Sequence, residues 1–117
     1  MVKKTEYDYL FNLIAIAYAD GEISELEMLF LRRKSADLNI NSEILDNLIS
    51  DASNFHLIVP THRIERMQYM DDCIEMAILD GVIHPKEMKL CKLVCDMLSL
   101  PQSYLDEQLT VKSITVK

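Results

Sequence analysis

Displaced by sixty positions, this chain superimposes on itself: Asp20-Gly21 meets Asp80-Gly81, Ile23 meets Ile83, and Glu27-Met28 meets Glu87-Met88. The match extends outward, with Ile14 and Ala17 on Ile74 and Ala77, Leu38 on Leu98, and Ile40 against Leu100. These eight identities all fall at turn or apolar positions, which helical composition alone does not explain. A fixed period of this kind marks one supersecondary unit used more than once. Whatever the chain folds into must build the same helix, Asp-Gly turn, helix hairpin at both places.

Local signals give each hairpin its boundaries. A first helix is expected from Thr5 to Tyr18, where Leu10, Ile14 and Ala17 share a face and Phe11, Leu13 and Ile16 make it apolar nearly all round, as in a central helix. Asp20-Gly21 ends it, because glycine accepts the left-handed backbone that stops a helix and aspartate bonds nearby amides. Ser24 and Glu27 have the spacing of a capping box, worth about 1 kcal/mol. Met28, Leu31, Ser35 and Leu38 then form one apolar stripe ending near Asn39. The second hairpin starts at Thr61, read as its cap, and carries Met67, Met70, Ile74, Ala77 and Ile78 to the Asp80-Gly81 turn. There His84 is read as the next cap and Pro85 takes the first helical turn, with Met88, Cys91, Val94, Cys95 and Leu98 as the last stripe.

The remaining segments are shorter. Ser42 to Ala52, introduced by Asn41 or Ser42, reads as an amphipathic helix bridging the repeats, and Asn54 to Pro60 as the connector, with Val59 held extended by the proline after it. Pro101 opens a short helix using Tyr104, Leu105 and Leu109. Thr110 to Lys117 is β-branched but has no evident partner strand, so it reads as an extension. Two glycines and three prolines leave little punctuation for the turns of a β-sandwich. The expected fold is therefore all-α, a compact bundle of about six helices. Its 117 residues make one domain, with pseudo-repeats over 5–40 and 61–100, a bridging helix over 42–53 and a C-terminal extension over 101–117.

Nineteen acidic against twelve basic side chains give a net charge of −7, which repels a phosphate backbone. The basic groups Arg32-Arg33-Lys34 and Lys86, Lys89, Lys92 are interleaved with acids and lack an aromatic platform for bases, so they read as solvated helix faces, and nucleic acid is not an expected partner. Cys73, Cys91 and Cys95 lie within apolar helical patterns and form no disulfide framework; they read as reduced core cysteines, the alternative being convergence on a soft metal. The seven methionines mostly sit on the stripes and read as core filling. Leu10 to Ala19 is too short to span a bilayer, and Glu6, Asp8 and Asn12 spoil a signal-peptide pattern, so no membrane insertion and a cytoplasmic location are expected.

The paired segments Ala-Asp-Gly-Glu-Ile-Ser-x-x-Glu at 19–27 and Leu-Asp-Gly-Val-Ile-His-Pro-x-Glu at 79–87 resemble the TerB-like family, named for bacterial tellurite resistance and including the membrane-proximal domain of a DnaJ-like co-chaperone. The likeness covers roughly residues 5–100. It implies a compact helical bundle with acidic residues at the two turns, sometimes proposed to bind metal, in proteins of stress responses and often of membrane-associated complexes. Carried over by position, those residues are Asp20, Glu27, Asp80 and Glu87. The Lys-Leu-Gly segment of the tellurite-resistance branch is absent.

Asp-Gly-x-Ile-x-x-x-Glu also equals the second half of a calcium-binding EF-hand loop. The first half fails, because its oxygen-ligand positions hold Ile16 and Tyr18 in one copy and Met76 and Ile78 in the other. One turn alone offers two carboxylates and an affinity no better than roughly millimolar. Two readings follow. Either each Asp ties its turn and each Glu caps the next helix, or Asp20, Glu27, Asp80 and Glu87 together hold a divalent cation. His56, His62 and His84 fit no zinc spacing, and no phosphate loop or nucleophile elbow occurs. The leading expectation is a non-enzymatic adaptor of a bacterial stress-response or envelope-linked system that meets a protein partner through its acidic surface, in association with a membrane-bound complex. The second is a divalent-cation-binding regulator.

Overall fold

A computed structural model describes residues 4–54, 56–78 and 81–116. The apolar periodicities become six α-helices among the described residues: α1 Lys4–Ala17, α2 Glu25–Asp37, α3 Ser42–Ser50, α4 Arg63–Ala77, α5 Pro85–Met97 and α6 Gln102–Val111. A single 3-10 turn covers Ala52–Asn54. Two short strands, β1 Val82–Ile83 and β2 Thr115–Val116, pair in parallel. Among the described residues the chain is all-α apart from that ladder. It divides into two compact units, Met1–Ile58 and Val59–Lys117.

In the first unit α1 is apolar nearly all round. Leu10, Leu13, Ile14, Ile16 and Ala17 are fully buried, and α2 and α3 both pack on this helix. The buried face of α2 runs through Glu27, Phe30, Leu31 and Ser35, whereas Met28 and Leu38, expected on the stripe, are only half-buried. Apolar residues occur on too many sides of this helix for spacing alone to choose the core face: Leu26, Met28, Leu29, Phe30 and Leu31 are nearly consecutive. Asn41 caps α3 by accepting the Glu43 amide at 2.6 Å. The helix expected to bridge the repeats packs on α2 and α1 and so completes the first unit.

The second unit repeats the bonds that end its second helix. α2 and α5 begin and end sixty residues apart. Leu38 N donates to Lys34 O at 3.0 Å and Leu98 N to Val94 O at 2.9 Å; Ile40 N donates to Ser35 O at 2.8 Å and Leu100 N to Cys95 O at 3.0 Å. Each helix is followed by a left-handed residue, Asn39 at φ 58° and Ser99 at φ 56°. The repeat also reaches the third helices, where Leu45 and Leu105 are both fully buried. Arg66 of α4 donates from Nη1 to the Leu98 and Ser99 carbonyls at 3.3 and 3.4 Å, satisfying acceptors that the end of α5 leaves open.

Three boundaries differ from expectation. Thr61 is not the cap of α4: His62, with extended backbone angles, takes the N-cap position without a side-chain bond. His84 likewise takes the N-cap position of α5, but its side chain makes no cap bond, and Pro85 supplies the preset backbone of the first turn. The tail has a partner after all. Thr115 N donates to Gly81 O at 2.8 Å, so β2 lies along the backbone that follows the second Asp-Gly turn.

Candidate functional site

The first turn is built entirely from backbone geometry and its two acids. Gly21 N donates to Tyr18 O at 2.8 Å, and Gly21 has φ +92°, a conformation that costs a side-chain-bearing residue. Asp20, exposed, accepts the Glu22 amide on Oδ1 at 3.3 Å. Ser24 and Glu27 form the complete capping box: Glu27 N donates to Ser24 Oγ at 3.2 Å and Ser24 N donates to Glu27 Oε1 at 2.7 Å. Glu27 is only 2% exposed. Both acids of this turn thus hold backbone amides.

The second turn places Gly81 at φ +80° and a half-buried Glu87 in the first turn of α5, the position Glu27 has in α2. Asp80 lies outside the described residues. Among the described residues no group of three or more His, Cys, Asp or Glu side chains could hold a metal ion. This covers the three cysteines, which are buried and form no disulfide. Cys95 Sγ–H donates to the Leu100 and Pro101 carbonyls at 3.5 and 3.4 Å, and burial, helped by the neighbouring Asp96 carboxylate, pushes its thiol above the ordinary range. It stays protonated and inert. His56, His62 and His84 are all exposed.

Surface charge is uneven. Residues 1–58 carry ten Asp and Glu against five Lys and Arg, residues 59–117 nine against seven. In the first unit Arg32 is paired with Asp46 at 3.2 Å and Lys34 sits 5.4 Å from the centre of the Phe30 ring.

Beside the first turn lies a site the repeat did not announce. Ile23, Ser24, Glu25, Met28 and Leu29 line an open cavity of about 350 Å³. Leu29 is 63% exposed, and Asp20, Glu22 and Glu25 are exposed around the same turn. The corresponding place in the second unit is also a cavity, of about 590 Å³, with Pro85, Met88 and Lys89 where the first unit has Glu25, Met28 and Leu29, and with Ile114 and Val116 of the tail on its wall. The signal that could have found Leu29 is the surplus of apolar residues in α2, more than a single stripe can bury. Among the described residues no helix is long and apolar enough to cross a membrane. The chain matches no family model, no curated protein and no solved structure.

Proposed function

We propose that this chain is a non-enzymatic interaction module, a TerB-like adaptor of a stress-response or envelope-linked system, whose acidic first unit docks a basic protein partner. One observation carries the reading: Leu29, 63% exposed, stands in an apolar groove beside the exposed carboxylates of Asp20, Glu22 and Glu25. An exposed large apolar group rimmed by like charges is costly in water and useful against a partner that brings apolar and positive groups together. The thiols fit this role, being buried, and Ser24 is committed to its cap. The excess of acid over base disfavours nucleic acid as the partner.

The test is affinity capture from an extract of the producing cell with the full chain and with a variant carrying Glu22→Lys and Glu25→Lys. The reading expects at least one protein held by the unaltered chain, released by raised salt and absent from the variant. Identical captured sets from both chains overturn it.

A further inference from the structure

The two units offer an internal comparison, because the same backbone is covered in one and open in the other. In the second unit, Thr115 N reaches Gly81 O at 2.8 Å and β2 pairs with Val82–Ile83, laying the alternating side chains of Ile114 and Val116 along the cavity shared with Met88. Sixty residues earlier, Gly21 has the same positive φ and residues 22–24 the same non-helical path into the next helix. There, among the described residues, no hydrogen bond reaches the Gly21 carbonyl or the Ile23 N–H and carbonyl. Ile83 is fully buried, whereas Ile23 is half-exposed.

We propose that the edge formed by the Gly21 carbonyl and the Ile23 backbone, with the groove of Ile23, Met28 and Leu29, takes an extended, β-branched segment of a partner protein that carries lysine or arginine, paired in parallel as the 114–116 segment is on 82–83. The occupant's class is set by two facts. The occupant of the matched edge, Ile114-Thr115-Val116, is wholly β-branched and carries no acid. And the open edge is more acidic than the covered one: Glu22 and Glu25 stand where the second unit has Val82 and Pro85. Leu29 replaces Lys89, so the open groove is also the more apolar. Main-chain bonds supply affinity in such strand addition, and the groove and the acids supply selectivity. The chain's own tail is retained by the second unit, to which it is tethered at high effective concentration. This inference rests on the interaction reading above and names the partner's chemistry.

The experiment is an amide NMR titration of the full chain with a synthetic peptide of the sequence Thr-Val-Lys-Ser-Ile-Thr-Val-Lys, and with the same peptide in which both lysines are glutamate. The inference expects saturable shifts at Gly21, Ile23 and Met28 at sub-millimolar peptide, and at least tenfold weaker binding both for the glutamate peptide and for a Leu29→Lys chain. Because Leu29 is a surface residue, that variant keeps its fold, which its own spectrum verifies. Shifts confined to Gly81, Val82 and Met88 overturn the inference, since the peptide is then only exchanging with the tail. So does the absence of shifts at several-millimolar peptide. Concentration-dependent broadening of Gly21 without peptide, with a dimer in sedimentation, overturns it in favour of a second copy. If the peptide fails while the charge-reversed chain still loses its captured protein, the interaction reading stands and this mode of docking falls.

Discussion

The side-chain amide of Asn12 brackets the backbone of Ile58. Its Nδ2 donates to the Ile58 carbonyl and its Oδ1 accepts the Ile58 amide, both at 3.0 Å. Asn12 is 6% exposed, at the start of the buried apolar half of α1, so it fixes the last residue of the first unit much as a neighbouring strand would. Asn12→Leu leaves two backbone groups without partners and is expected to cost about 1 to 3 kcal/mol in urea unfolding, with faster hydrogen exchange at Ile58. An unchanged exchange rate at Ile58 would show that the bracket does not hold it.

The turn acids are expected to behave as caps. Ser24→Ala should cost about 1 kcal/mol, and Glu27→Gln, which keeps an acceptor for the Ser24 amide, less than Glu27→Ala. Gly21→Ala should cost about 1 to 2 kcal/mol from backbone strain alone, because a β-carbon there meets no atom within 4 Å. Calcium, magnesium, manganese or zinc at millimolar concentration should leave the unfolding temperature unchanged. A rise that Asp20→Asn abolishes would instead support the cation-regulated reading.

Alkaline pH should loosen the second unit. Burial raises the Cys95 thiol, with Asp96 adding to it, and burial likewise raises the Tyr104 hydroxyl, with the negative charge of Asp71 adding to it. Each group is neutral when protonated and holds its proton more tightly folded than unfolded. Their contribution is therefore complete below the ordinary values of 9.0 and 10.0 and is lost as pH climbs through the raised folded values. Urea midpoints measured from pH 8 upward should fall, and Cys95→Ser with Tyr104→Phe should flatten that fall. The same burial predicts that none of the three thiols reacts with iodoacetamide in the folded chain.

The helices, the first Asp-Gly turn and its capping box were legible because their causes are local: a three-to-four residue period, a glycine at positive φ and a serine three residues before a glutamate. Leu10, Ile14 and Ala17 fell where expected for that reason. The pairing of Thr115–Val116 with Val82–Ile83 was not legible, since β-branched residues mark a strand but say nothing of which distant edge it joins. Nor was the exposed Leu29, whose place outside the core depends on how α2 is rotated against α1. The metal-ligand reading of Asp20, Glu27, Asp80 and Glu87 came from residue types; where the atoms are described, Asp20 and Glu27 each accept a backbone amide.

Removal of residues 112–117 tests the role of the tail separately. The loss of its ladder and of the Thr115 to Gly81 bond should cost the second unit about 1 kcal/mol, and Gly81 and Ile83 should exchange their environment while the helical signal persists.

Site-specific photo-crosslinking in the producing cell bears on the first unit as the docking face. A photoreactive residue at exposed Arg33, one turn beyond Leu29 on α2, is compared with one at exposed Ser103. A discrete adduct from position 33 alone, whose joined peptide is extended in composition and bears lysine or arginine, is the expected result. Adducts from both positions, or from position 103 only, would contradict it.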